Sequence, residues 1–140
     1  MMIENAEEMK RVLRETRTIA MVGLSPNEAR PSHRVARYLM SQGYTVIPVN
    51  PGQSEILGQT CYPDLASIPV AVDMVDVFRK SEDTPPIAAA AVRIGAKSLW
   101  LQEGVINAAA AATALAAGLD VVMDRCVKKE HAALLLGGNY

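Results

Sequence analysis

Five short apolar runs constrain this chain more than any other feature, because each is too brief for a helix and all but the second are followed by a helical pattern. They are Thr18–Val22, Thr45–Val49, Asp73–Phe78, Ser98–Leu101 and Asp120–Met123. Continuous apolar runs of this length mark strands buried on both faces. Between them the periodicity changes to that of helices. Met9, Val12 and Leu13 form one stripe behind Asn5, with Glu8 at capping-box spacing. Val35, Ala36, Leu39 and Met40 form another, opened near Pro31-Ser32 and closed at Gly43. Thr84-Pro85 begins a third helix that runs to Gly95. Asn107 opens an alanine-rich fourth that ends at Gly118, and a last one covers Val127 to Leu135. Strands separated by helices predict an α/β chain: a doubly wound, Rossmann-like, parallel five-stranded sheet in a three-layer αβα arrangement. Pro48 sits awkwardly in the second run, since proline removes a ladder donor. The stretch from Gln53 to Pro69 reads as irregular, with a short helical turn at Leu65.

Length and charge narrow the class. The 140 residues are expected to form a single domain, 1–140, with enough buried surface to need no disulfide or metal. Fourteen basic side chains oppose fifteen acidic ones, for a net charge of −1, which argues against a nucleic-acid partner. The two cysteines, Cys61 and Cys126, have neither CxxC nor zinc-type spacing and read as free thiols of a reducing compartment. The acidic N-terminus lacks the pattern of a signal peptide, and the alanine tract from Ala108 to Leu119 is too short to span a bilayer. The expectation is a cytoplasmic protein with no membrane partner.

In open α/β sheets ligands bind beyond the carboxyl ends of the strands. Those ends carry distinctive residues here: Gly23-Leu24-Ser25-Pro26 with Arg30-Pro31-Ser32 after the first run, Asn50-Pro51 after the second, Phe78-Arg79 at the third, Gln102-Glu103-Gly104 after the fourth and Asp124-Arg125-Cys126 after the fifth. Gly23 permits close backbone approach, Ser25 offers a hydroxyl, and the helix beginning at Ser32 presents free N–H groups and its positive dipole end. With Arg30 nearby, these features suit an anion. The dinucleotide fingerprint is missing, however. It needs G-x-G-x-x-G and an acid at the end of the next strand, and this loop has one glycine and the next strand ends in Asn50. That argues against NAD but leaves room for a nucleotide with an extra phosphate, neutralised by Arg30 and Arg79.

These same residues carry a family resemblance. Val22-Gly23-Leu24-Ser25 with Arg30-Pro31-Ser32, Val46 to Pro51, Val75 to Arg79, Leu99 to Gly104, and Asp124-Arg125-Cys126 with Glu130-His131 resemble the small stand-alone CoA-binding proteins. Those are similar to the N-terminal domain of the succinyl-CoA synthetase α subunit, and the likeness runs from about Thr18 to His131. It implies a coenzyme A site in which Gly23, Leu24, Ser25, Pro26, Arg30 and Ser32 surround the phosphates. Asn50, Pro51, Phe78 and Arg79 would flank the adenosine, and Gln102 and Gly104 would face the pantetheine arm. Family loops commonly read Gly-Ala-Ser, so the bulkier Leu24 must point away from the ligand or narrow the site. The synthetase's second domain, with its phosphorylated histidine, has no counterpart.

The expected function is therefore binding of CoA or acyl-CoA without a catalytic centre. The alternative is an enzyme that uses the crevice for an NADP-like or acyl-CoA substrate. His33 reads as a surface helix residue. His131 reads as a structural group paired near Glu130. Asp73 and Asp76 read as hydrogen-bonding groups at strand ends, and Trp100 as core. Cys126 is either a small packing residue or a thiol beside the pantetheine arm.

Overall fold

A computed structural model of the chain describes residues 1–137. Its main sheet contains β1 (Thr18–Val22), β2 (Thr45–Val49), β5 (Met74–Val77), β6 (Ser98–Leu101) and β7 (Asp120–Val122), in the order β2-β1-β5-β6-β7. Every pairing is parallel. A two-stranded antiparallel sheet, β3 (Glu55–Ile56) with β4 (Gln59–Thr60), lies in the connection from β2 to β5. The helices are α1 (Ala6–Glu15), α2 (Pro31–Ser41), α3 (Thr84–Arg93), α4 (Ala108–Ala116) and α5 (Val127–His131), the last running on into a wider helical turn over Ala132–Leu136.

The two faces of the sheet build two separate cores. Ile19, Met21, Met74 and Trp100 pack with residues of α1, α2 and α5. Ala20, Val22, Val75, Val77, Leu99 and Leu101 pack with the small-residue faces of α3 and α4. Alternating side chains of one strand thus feed opposite layers, and the result is a Rossmann-like three-layer αβα fold. Alanines explain the second layer: Ala88, Ala91, Ala110 and Ala114 are fully buried and let their helices lie close to the sheet.

Pro48 is accommodated because β2 is an edge strand. Its partner is β1 on one side, and beyond it Tyr62 donates its N–H to the Pro48 carbonyl at 3.0 Å. The proline therefore offers an acceptor and needs no donor. At the other edge, β7 is extended by the N-terminal residues: Ile3 N–H donates to the Val121 carbonyl, and Val121 N–H to that of Met1. Asn5 caps α1 by accepting from the Glu8 N–H at 2.9 Å.

Of the two aspartates read as strand-end groups, one keeps that place and the other departs from it. Asp73 does close a strand end, accepting from the N–H groups of Arg17 and Thr18 at 3.0 Å each. Burial alone would raise its pKa, but those donors and Lys97 outweigh it and hold the carboxyl below its ordinary value. Asp76 is no strand-end group. It lies in mid-strand between Met21 and Trp100, fully buried, and neither carboxyl oxygen has a hydrogen-bond partner among the described residues.

Candidate functional site

The chain leaves β1 for β2 on one side, then returns to β5 on the other, so the strand order reverses between β1 and β5. Such a switch point opens a crevice between the two diverging loops. Here the loops are Gly23–Arg30 and Phe78–Asp83.

The first loop is held by its own hydrogen bonds. Ser32 is not the cap of α2; Arg30 occupies that position without a side-chain bond, and Pro31 begins the helix. Ser32 instead turns its Oγ back to accept from the Ser25 N–H at 3.0 Å. Ser25 Oγ accepts from Asn27 N–H, and Asn27 Oδ1 from Ala29 N–H. His33 is buried, not a surface residue, and its Nδ1 lies 3.0 Å from the Ser25 carbonyl. This ring of short-range bonds fixes the start of α2 in one orientation, with its N-terminus facing the crevice.

Gly23 takes φ +89°, and a Cβ built there would stand 2.3 Å from the Phe78 carbonyl oxygen. Its glycine is thus required by the chain's own approach of β5's end to β1's end. Leu24 is fully buried in the core beneath the loop, pointing away from the crevice. Asn50 backs the loop: its Nδ2 donates to the Leu24 carbonyl at 3.1 Å and its Oδ1 accepts from Gly52 N–H.

Three adjoining cavities make up the crevice. A groove of about 350 Å³ lies over Gly23, Ser25, Arg30, Pro31, Ser32 and Phe78. A slot of about 240 Å³, walled by Val49, Pro51, Pro63, Leu65, Ile87 and Arg79, lies toward β2. A larger cavity of about 700 Å³ runs the other way, from Pro31, Val35 and Phe78 to Gln102, Val105 and Cys126. Phe78 and Pro31 are shared by the groove and the large cavity, and Arg79 by the large cavity and the slot. Arg79 also pairs with Asp83 at 3.2 Å, while Arg30 is exposed and has no ionic partner among the described residues.

Of the residues singled out from sequence, Gly23, Ser25, Arg30, Ser32, Pro51, Phe78, Arg79 and Gln102 line these cavities. Leu24 and Asn50 support the loop from behind. Pro26 is exposed on its outer turn. Gly104 lies beside the wall, with φ +81° and its N–H on Asp124 Oδ1 at 2.7 Å. Val35, Pro63, Leu65 and Ile87 were not legible as lining residues. They are ordinary apolar residues whose role comes only from the packing of distant segments.

The remaining candidates are structural. Trp100 is buried and donates its indole N–H to the Arg125 carbonyl at 2.8 Å. His131 lies 2.7 Å from the Tyr38 hydroxyl through Nδ1 and stacks edge-on with Tyr38 and Tyr44. Burial lowers its pKa, so it is neutral around pH 7. Arg125 and Glu130 pair with each other at 3.5 Å.

Comparison with known proteins places this geometry. The chain is 38% identical over 125 residues to the uncharacterized protein YneT of Bacillus subtilis, covering 89% of this chain and 93% of that protein. A shorter segment of 69 residues is 33% identical to acetate–CoA ligase (ADP-forming) I of Archaeoglobus fulgidus, covering 49% of this chain and 10% of the ligase. Among solved structures, a hypothetical protein from Pyrococcus horikoshii superimposes with a TM-score of 0.92 at 39% identity, over 94% of this chain and 93% of that one. Residues 17–132 match the CoA binding domain family, which spans every loop of the crevice, and the chain belongs to that family.

Proposed function

We propose that the protein binds coenzyme A, or an acyl-CoA, along the crevice and has no catalytic centre of its own. The observation that carries this reading is the unpaired Arg30 beside the N-terminus of α2, at a switch point with Arg79 on its far wall. The phosphates occupy the groove over Gly23, Ser25 and Ser32, where the Ser32 N–H at the positive end of α2 and Arg30 attract anions. Adenosine enters the mostly apolar slot between Pro51 and Ile87. The pantetheine arm follows the large cavity toward Gln102. Both histidines are already engaged, His33 on Ser25 and His131 on Tyr38, which favours a binding role over acid–base chemistry. The segment shared with acetate–CoA ligases, whose substrate is CoA, supports the same ligand. Two free, buried cysteines and a balanced charge fit a cytoplasmic single-domain protein with a small-molecule ligand and no nucleic-acid partner.

Calorimetric titration with CoA, dephospho-CoA, NAD and NADP tests the reading. CoA is expected to bind more tightly than NAD, because no acid stands at Asn50 to hold a ribose. Equal or tighter NAD binding would falsify it. Arg30→Ala is expected to weaken CoA binding by about 1–3 kcal/mol, the range for hydrogen bonds to charged groups. The fold should survive, since the side chain is exposed and has no bond among the described residues. An unchanged affinity would move the anion site to Arg79.

A further inference from the structure

We infer that Cys126 exchanges disulfides with the thiol end of the bound ligand, so that the protein is reversibly capped by CoA when it meets CoA disulfide. The inference rests on the CoA reading above and adds a covalent site to it.

The two thiols are placed very differently. Cys61 is buried behind β2, with Sγ 3.5 Å from the Asn50 carbonyl, and burial raises its pKa. Cys126 is also largely buried, but it forms part of the wall of the large arm cavity. It borders two neighbouring hollows as well, one of about 310 Å³ shared with Pro31, Arg34 and Lys128, and one of about 560 Å³ shared with Arg125 and Lys129. The arm cavity thus has in its wall both Pro31, where α2 starts beside the groove proposed for the phosphates, and Cys126. A ligand anchored by its phosphates in that groove and laid through this cavity has its thiol arm within reach of Cys126.

A second group in the same wall points to a ligand independently. Gln102 is 4% exposed, and its Oε1 accepts from the Val127 N–H at 3.2 Å. A backbone N–H can only donate, so the amide oxygen must face Val127 and the NH2 group must face the other way. That Nε2 donates to no group among the described residues, and its side chain lines the arm cavity next to Cys126. A buried side chain with a free NH2 group, two donors, suits an arm that carries amide carbonyls. The pantetheine chain carries two such carbonyls before its terminal sulfur.

The exchange needs no oxidant beyond the disulfide itself. The Cys126 thiolate attacks one sulfur of CoA disulfide, and the protein–CoA S–S bond forms as the CoA–CoA S–S bond breaks. One CoA departs as thiolate and takes up the proton that Cys126 released. Cys126 is oxidised and the departing CoA reduced, and excess CoA thiol reverses the step.

The test is intact-mass spectrometry of the fully reduced protein after incubation with CoA disulfide, with peptide mapping. One CoA adduct on Cys126 is expected, formed at least tenfold faster than the adduct from glutathione disulfide at equal concentration. Saturating desulfo-CoA, which fills the crevice but has no thiol, should slow it at least tenfold. Cys61→Ser should leave the adduct intact, and Cys126→Ser should abolish it. An adduct on Cys61, equal rates with both disulfides, no effect of desulfo-CoA, or no adduct at all would each overturn the inference. Calorimetry with CoA under reducing conditions separates the two readings: binding without an adduct sinks the exchange alone, and absence of binding sinks the CoA site itself.

Discussion

Gly23→Ala is expected to destabilise the protein by roughly 3–5 kcal/mol, with a matching loss of CoA affinity. Two costs add. A residue with a Cβ at φ +89° sits in strained backbone, at about 1–3 kcal/mol. The new methyl would also meet the Phe78 carbonyl at 2.3 Å, a backbone atom with no flexible side chain to give way, and overpacking of this kind costs about 1–3 kcal/mol or more. Relief requires β1 and β5 to separate at their carboxyl ends, which displaces Phe78 and Arg79 from the crevice they share with Gly23. Gly43 provides the comparison. Its φ is +95°, yet a Cβ there meets nothing within 4 Å. Gly43→Ala therefore bears the backbone cost alone and is expected to lose about 1–2 kcal/mol with CoA binding unchanged. Urea denaturation of both variants measures the difference. Equal midpoints would mean that the Phe78 carbonyl moves freely and that the approach of β5's end to β1's end does not require a glycine at position 23.

The fold was legible in the sequence because burial on both faces writes itself into short runs. Ser98–Leu101 appears as a strand with those bounds, and Thr18–Val22 and Thr45–Val49 do too. What escaped was structure without such a run. The β3–β4 hairpin has two residues per strand around Leu57-Gly58, too few for any period to show, and its turn depends on Leu57 adopting φ +54°. At the site, sequence located the loops but not the partners of their side chains. Asn50 stood out because an acid was missing there, yet its bonds run to Leu24 and Gly52 across a gap of 26 residues in the first case. Ser32 read as the start of its helix, and its hydroxyl is a latch for Ser25. Hydrogen-bond choice of this kind is set by which loops converge, and convergence is a property of the folded sheet. Leu24 is the opposite case: a bulky residue in a ligand loop had to point inward or obstruct, and it points inward.

Asp76 makes the second large prediction, a loss of stability as pH rises. Its carboxyl lies in the centre of the sheet, flanked by Met21 and Trp100, with no hydrogen-bond partner among the described residues. Burial pushes its pKa well above the ordinary range. The sign follows from proton counting. Between the unfolded value of about 3.9 and the raised folded value, the native protein keeps a proton that the unfolded chain has released. Stability therefore falls with increasing pH, by up to about 1.4 kcal/mol per pH unit for this one group, and levels off above the folded pKa. Asp73 acts in the opposite sense: its folded pKa is lowered, so its contribution is present above the unfolded value and fades as pH falls through the folded one. Asp76→Asn keeps the shape and the buried polar atoms but removes the titration. Near pH 4 the variant and the wild type should be similar in stability. Toward pH 8 the variant should become the more stable of the two, by more than about 1 kcal/mol relative to that starting difference. Chemical denaturation of both proteins at matched ionic strength from pH 4 to pH 9 supplies the curves. Parallel curves would show that Asp76 ionises in the folded protein as it does in the unfolded chain, and a partner for its carboxylate would then have to exist in the sheet.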